Sequence, residues 1–191
     1  MGFLDALLGR SKVKAPAPDR LFALTTAYVD LETQQGITTR GAAAIVFQPL
    51  ATSDFQGIVA EMEEVLHGTG TETGSTVETS DDEFGYRWMI IRDPDLEDLV
   101  VGVNAVSDAL AVGGYSDRVL CAVFAFEDST GRPIYFIYNY KRGTWYPFAP
   151  ARGGDKQRDN ERELQVKAQV GAGLPFEAEL ERWFPLWGIP I

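Results

Sequence analysis

The chain has 191 residues, of which 45% are hydrophobic and 12% aromatic, and its formal net charge is −11. A chain of this size and composition can bury the core of one domain without disulfide or metal cross-links. The negative charge argues against a nucleic-acid-binding protein, which presents clustered Lys and Arg to phosphates, and against broad adhesion to anionic lipid headgroups. One cysteine and one histidine cannot build the usual nucleophile–base pairs. We therefore expect no catalytic residues, no metal, no cofactor and no nucleic-acid partner.

The first 18 residues are predicted to form a short amphipathic helix followed by a proline-containing spacer. Four apolar side chains share one helical face: Phe3, Leu4, Leu7 and Leu8. The prolines of "SKVKAPAPDR" end any helix and favour an extended spacer. This segment is predicted to dock on a partner or on the body of the protein, or to touch a membrane surface. No secretory signal pattern is present, so we expect a cytoplasmic chain with at most peripheral membrane contact.

Residues 19–191 are predicted to form a single domain. Periodicity and end signals place a helix from Asp19 to Gly36, a strand at 40–50 and a second helix at 53–68. The polar, acidic stretch 68–83 is predicted to be a loop. A strand follows at 84–93, and "DLVVGVNAVSDALAVGG" is predicted to start as a strand through Val103 and to become a helix at Asn104.

The second half of the chain is predicted to supply three consecutive strands and then two helices. The strands are "DRVLCAVFAFED", "PIYFIYNYK" and "TWYPFAP", joined by short turns. One helix is expected from about Asn160 and a last one over "LPFEAELERWFPLWGIPI". Strands joined by hairpin turns indicate an antiparallel sheet. The predicted fold is therefore α+β, a central antiparallel sheet flanked by helices that resembles a secretion-chaperone-like sandwich.

The stretch "PIYFIYNYKRGTWYPFAP" is predicted to be a hairpin that fills the core and leaves an aromatic edge partly exposed. From it and from the basic segment that follows, we predict these partner-binding residues: Tyr138, Tyr140, Lys141, Arg142, Trp145, Tyr146, Arg152, Lys156 and Arg158. Alanine at Trp145 and Tyr146 is then expected to leave the fold intact and to weaken partner binding.

Five segments together resemble the PspA-associated PspAB proteins: "MGFLDALLGR", "LFALTTAYVDLE", "RGAAAIVF", "YNYKRGTWYPFAP" and "ERELQVKA". The resemblance implies a non-enzymatic accessory or adaptor protein of a phage-shock-type envelope-stress response. It also implies a PspA-like coiled-coil protein on the cytoplasmic membrane face as partner, with a membrane metalloprotease as a further one. It implies no catalytic residue.

Two other functions are compatible with the residues. A chaperone-like protein would hold an extended client segment along an exposed sheet edge. An enzyme that works with carboxylates alone would need convergent acids of raised pKa in a deep pocket. The sequence leaves open whether the chain forms a homodimer.

Overall fold

The structure is a computed structural model that describes residues 18–153 and 156–191. The predicted amphipathic helix with Phe3, Leu4, Leu7 and Leu8 lies outside the described residues. Within the described ranges, the α-helices are α1 (Pro18–Gln35), α2 (Ser53–Thr73), α3 (Leu96–Val112) and α4 (Asn160–Val170). The strands are β1 (Thr38–Phe47), β2 (Thr76–Asp81), β3 (Arg87–Arg92), β4 (Val119–Glu127), β5 (Pro133–Asn139) and β6 (Thr144–Phe148).

The six strands form one antiparallel sheet in the order β2-β3-β1-β4-β5-β6. Successive side chains of a strand point to opposite faces, so each strand contributes to two apolar clusters. Phe124 and Phe136 lie opposite each other on one face, and Val123 and Ile137 lie opposite each other on the second face. Both faces of the central strands are buried, which explains their nearly continuous apolar sequences.

The helices cover one face of the sheet. Apolar residues at helical spacing on α1, such as Leu24 and Leu31, are fully buried there, as are Leu99 and Val103 of α3. Gly36 adopts a positive φ of 61° directly after α1, a conformation that favours glycine and ends the helix. The predicted α+β class with a central antiparallel sheet is confirmed.

The second face of the sheet is covered by the C-terminal segment. Trp183 is 4% exposed in the cluster on this face, and further apolar side chains of the segment pack against it: Leu186, Trp187, Ile189 and Ile191. The Tyr135 hydroxyl donates a 3.3 Å hydrogen bond to the backbone oxygen of Ile191, which holds the end of the segment on the sheet. The predicted last helix is therefore wrong. In this C-terminal segment only a 3₁₀ turn at Leu180–Arg182 forms. The apolar side chains that follow it pack on the sheet along a non-helical path.

The segment that was predicted to be a polar loop contains the edge strand β2. It pairs with β3, and only Val77 of its side chains is buried. Arg87 binds Asp81 with two hydrogen bonds of 2.7 and 2.8 Å, and Arg92 binds Glu78 at 2.9 Å. A polar strand forms here because backbone pairing and these cross-strand ion pairs replace the missing apolar pattern.

Helix α3 begins earlier than predicted. Asp95 caps it by accepting a 2.8 Å hydrogen bond from the backbone N–H of Glu97, so the segment before Asn104 is helical and not a strand. The valine-rich start suggests a strand locally, but Leu96, Leu99 and Val103 share the face that packs on the sheet. Tertiary packing thus overrides the local β preference of valine.

Candidate functional site

The aromatic hairpin of β5 and β6 lies in the core. Trp145 is completely buried, Tyr138 is 1% exposed, and Tyr140 and Tyr146 are 8% and 4% exposed. The predicted partly exposed aromatic edge is therefore wrong. Each ring has a neighbour that excludes water: Tyr138 lies 5.0 Å from both Tyr140 and Trp145, and Tyr146 stacks on Trp183 at 6.4 Å between ring centroids.

The outer edge of β6 is also covered. The backbone N–H of Trp145 donates a 3.0 Å hydrogen bond to the oxygen of Pro175, and the N–H of Glu177 donates one of 2.8 Å to the oxygen of Trp145. The segment after α4 thus pairs with β6 in place of a further strand. Both backbone groups of Trp145 are therefore already paired, so an extended client cannot add a strand to β6 at this residue.

The turn between β5 and β6 is exposed and basic. Lys141 and Arg142 occupy the turn, and Gly143 closes it with a positive φ of 64°. Arg20, from α1, donates a 3.2 Å hydrogen bond to the backbone oxygen of Gly143. We call Arg20, Lys141 and Arg142 the basic turn. It is the accessible part of the predicted aromatic site.

Arg142 is also part of the internal structure. Its Nε donates to the carboxylate of Glu177, a residue that is 4% exposed. Burial opposes ionisation of Glu177, but hydrogen bonds from the Glu179 N–H and from Arg142 outweigh it and lower the pKa of the carboxyl group. The ion pair therefore joins the basic turn to the segment that covers β6.

The remaining predicted partner-binding residues lie at the other end of β6. Lys141 precedes the strand, whereas Arg152 and Lys156 follow it and are exposed. A five-residue strand spans about 15 Å, so the predicted residues form two separate basic surfaces.

Arg158 belongs to neither basic surface. Its Nη2 lies 2.8 Å from a carboxylate oxygen of Glu163, and its Nη1 donates to the backbone oxygen of Trp183. Glu163, whose side chain is 2% exposed, also accepts a 2.8 Å hydrogen bond from the N–H of Ala149. Arg158 thus fastens the C-terminal segment to α4 and to the end of β6, which is a structural role.

A cavity of about 660 Å³ lies beside the basic turn, where β4 begins and β5 ends. Helix α3, the C-terminal segment and Leu21 of α1 complete its wall. Polar side chains from separate elements meet in it, among them Ser107 of α3 and Asn139 of β5. No sequence signal predicts this site, because no regular spacing along the chain relates these residues before folding brings them together.

Cys121 lines the same cavity and is partly exposed. Burial of the thiol raises its pKa from 9.0 to about 12, so the thiol is protonated and unreactive at neutral pH.

No helix within 18–153 and 156–191 combines the length and the hydropathy needed to cross a bilayer. In the same ranges, no group of three or more His, Cys, Asp or Glu side chains is arranged to hold a metal ion.

Comparison with known proteins gives a family for the whole chain. The family model described as PspA associated protein B, PspAB, matches residues 1–191. Neither the curated proteins nor the solved structures gave a match. Because the family model covers the full length, including the aromatic hairpin and the C-terminal segment, the chain belongs to the PspAB family of PspA-associated proteins.

Proposed function

We propose that this protein is a non-enzymatic accessory protein of a PspA-type envelope-stress response, and that it acts by binding a PspA-like coiled-coil protein at the cytoplasmic face of the membrane. The observation that carries the proposal is the family match over residues 1–191, since the family is described by its association with PspA. A membrane metalloprotease is a further expected partner. Homodimer formation is to be tested by sedimentation.

The basic turn is the proposed contact for the coiled-coil protein. Among the described residues, Arg20 and Lys141 bring two unpaired positive charges next to Arg142, whose charge is paired with Glu177, on a chain whose net charge is −11. Coiled coils expose charged residues along their sides, so an acidic stretch of the partner would complement this cluster. The second basic surface, Arg152 and Lys156, is the other exposed part of the predicted interface.

The N-terminal segment is proposed to assist at the membrane or on the partner. Its apolar side chains Phe3, Leu4, Leu7 and Leu8 are those predicted to share one helical face. A short helix of this kind is marginal alone in water, so the surface that it meets must stabilise it.

The test is an affinity pull-down from envelope-stressed native cells with the full-length chain as bait. Lys141→Glu should reduce recovery of a PspA-like coiled-coil protein, and Arg152→Glu/Lys156→Glu tests the second surface separately. The matched control is Arg40→Glu, an exposed charge reversal at the opposite end of the sheet from the basic turn, in a weak 3.7 Å pair with Glu127.

The pull-down separates the folded domain from the N-terminal segment. A chain without residues 1–14 that still recovers the partner assigns binding to the folded domain, whereas loss of the partner assigns it to the segment. Failure of the full-length protein to recover any PspA-like protein would contradict the proposal.

A second function, holding an extended client, is favoured by one feature. Strand β2 pairs only with β3 among the described strands, so its outer edge is open to an added strand. Its charged side chains Glu78 and Asp81 oppose unspecific edge pairing. Suppression of light scattering by an aggregating client at equimolar protein would support this function, and unchanged scattering would exclude it.

A further inference from the structure

The cavity beside the basic turn has the dimensions of a small-molecule site. Its volume of about 660 Å³ lies within the roughly 300–1,000 Å³ that is usual for ligand pockets. Most of its wall is apolar, formed by side chains from four parts of the fold: Leu21, Ala111, Val119, Leu120, Phe184 and Leu186. Because these side chains come from α1, α3, the start of β4 and the C-terminal segment, the folded domain holds the wall in place.

Residues of the cavity wall carry buried polar atoms without partners. The hydroxyl of Tyr138 and the side-chain oxygen of Asn139 find no hydrogen-bond partner in the described part of the chain. Tyr138 is 1% exposed, so its hydroxyl has also lost contact with bulk solvent. Buried polar side-chain atoms are normally satisfied, and leaving one unpaired destabilises the folded state. A ligand that reaches these atoms from the cavity would supply the missing partners.

Tyr140 adds a third hydroxyl to the same wall. It is 8% exposed, and its hydroxyl makes no hydrogen bond of good geometry among the described residues. Burial raises the pKa of Tyr140, and the nearby Ser107 hydroxyl offsets part of this effect. Burial also raises the pKa of Tyr138, to about 12, although the positive charge of Arg20 lowers it in part. Both phenols therefore keep their protons at neutral pH and can donate to an acceptor.

The charges near the cavity do not select a charged ligand. Asp108, Asp117 and Lys141 line it and are exposed at its rim, and Arg20 lies close enough to influence Tyr138. With two negative and two positive groups, the rim of the cavity has no net charge of either sign. The lining contains no buried ionised side chain that would neutralise a charged head inside the cavity.

We propose that this cavity binds an uncharged amphiphile whose carbonyl or hydroxyl oxygens pair with Tyr138, Asn139 and Tyr140 and whose apolar body fills the remainder. This adds a small-molecule site to the protein-binding role proposed above. The ligand class follows from the match between an apolar wall and a few convergent, neutral polar groups.

The test uses monododecanoylglycerol, an uncharged amphiphile with hydroxyl and carbonyl oxygens, below its micelle concentration and with the full-length chain. Equilibrium dialysis should show saturable binding of one molecule per chain. Tyr138→Phe should weaken this affinity by about three- to tenfold, the effect of one hydrogen bond. The same variant should unfold at an unchanged or higher temperature, because its hydroxyl has no partner in the free protein.

Matched controls separate the cavity from unspecific binding. Tyr135→Phe also deletes one hydroxyl of β5, but Tyr135 is not part of the cavity lining, so this variant should leave the affinity unchanged. Dodecanoate has an apolar chain of the same length with a charged head and should bind at least about threefold more weakly than the glyceride. Absence of saturable binding, an equal loss in Tyr135→Phe, or tighter binding of dodecanoate would each overturn the proposal.

A last variant tests whether the chain itself fills the cavity. The N-terminal segment joins the described chain at Pro18, three residues before Leu21 of the cavity wall, so competition from the chain itself is tested directly. Leu7→Glu/Leu8→Glu in the full-length protein should leave the affinity for monododecanoylglycerol unchanged. A higher affinity in this variant would identify the N-terminal segment as the occupant and overturn the proposal.

Discussion

The indole Nε1 of Trp145 donates a 2.7 Å hydrogen bond to the backbone oxygen of Arg20, a residue 125 positions earlier in the chain. This contact joins edge strand β6 to the first turn of α1. It also explains why a tryptophan beside an exposed turn is completely buried. Trp145, one of the residues predicted from the sequence to bind a partner, is therefore a structural link between the two ends of the domain.

Substitution of Trp145 is expected to destabilise the protein. Trp145→Ala removes the hydrogen bond to Arg20 and the ring contacts with Phe124 and Tyr138, and should lower the free energy of unfolding by about 3–5 kcal/mol. Guanidinium denaturation measures this change. This result would replace the sequence-based expectation that alanine leaves the fold intact.

The control for Trp145→Ala is Phe84→Ala. Phe84 is 72% exposed in the turn before β3, so its loss should change the free energy of unfolding by no more than about 0.5 kcal/mol. If Trp145→Ala unfolded like the unsubstituted protein and only lost partner binding, the assignment of Trp145 to the core would be wrong.

The contributions of Arg158 and Glu163 to the free energy of unfolding are expected to depend strongly on each other. Arg158→Met leaves a buried carboxylate without its cation and should lower the free energy of unfolding by about 3 kcal/mol. Burial already raises the pKa of Glu163, against the Ala149 N–H and Arg158, so loss of the arginine should raise this pKa further. Proton titration of the glutamate by NMR measures the second effect.

A double-mutant cycle tests this coupling. Glu163→Gln keeps an acceptor for the Ala149 N–H, so Arg158→Met/Glu163→Gln should lose less stability than the two single changes added together. The difference, measured by urea denaturation, should be about 1–3 kcal/mol. Additive losses would show that Arg158 contributes through its hydrogen bond to the Trp183 oxygen and its packing on Phe148, whose ring centroid lies 5.7 Å from the guanidinium carbon, and not through Glu163.

Stability is expected to fall in acid partly through Glu177. Its folded-state pKa is lowered below the ordinary 4.5 because the Glu179 N–H and Arg142 outweigh the opposing effect of burial. A lowered pKa means that the contribution is complete above pH 4.5 and is lost as the pH falls through the folded-state pKa. The pKa of Asp128 is likewise lowered below its ordinary 3.8. Burial opposes this shift, but hydrogen bonds from Thr130 and Arg132 outweigh the effect of burial.

Denaturation curves between pH 7 and pH 3 check this expectation. Glu177→Gln should be less stable than the unsubstituted protein at pH 7, and the difference should shrink as the pH falls below 4.5. A constant difference across this range would show that ionisation of Glu177 contributes nothing to folding.

Removal of residues 184–191 is expected to expose the second face of the sheet. Leu186 and Trp187 pack against buried residues such as Ile137 and Phe148 of this face. Their loss would leave an apolar patch that binds a hydrophobic dye and promotes association. Dye fluorescence and sedimentation measure both effects, and far-ultraviolet circular dichroism should show that the strands persist. A truncated chain without added dye binding or association would mean that the segment does not shield the sheet.

The sequence by itself determined the class of fold and most of its elements. Helix α1, strands β1 and β3–β6 and helix α4 follow from periodicity, caps and turn glycines, because these signals act over a few neighbouring residues. Strand β5 lies inside the sheet, and the apolar character of both its faces suits that position. The resemblance of five segments likewise indicated the family that the full-length match establishes.

The tertiary structure alone decided which side chains are accessible and which of them meet. Strand β2 exists because β3 offers it a partner, and the early start of α3 follows from packing on the sheet. Tyr146 is buried because the C-terminal segment lies over it in an extended path, where the sequence suggested a helix. Burial and cavities depend on contacts between distant parts of the chain, and local sequence patterns do not encode which distant residues will meet.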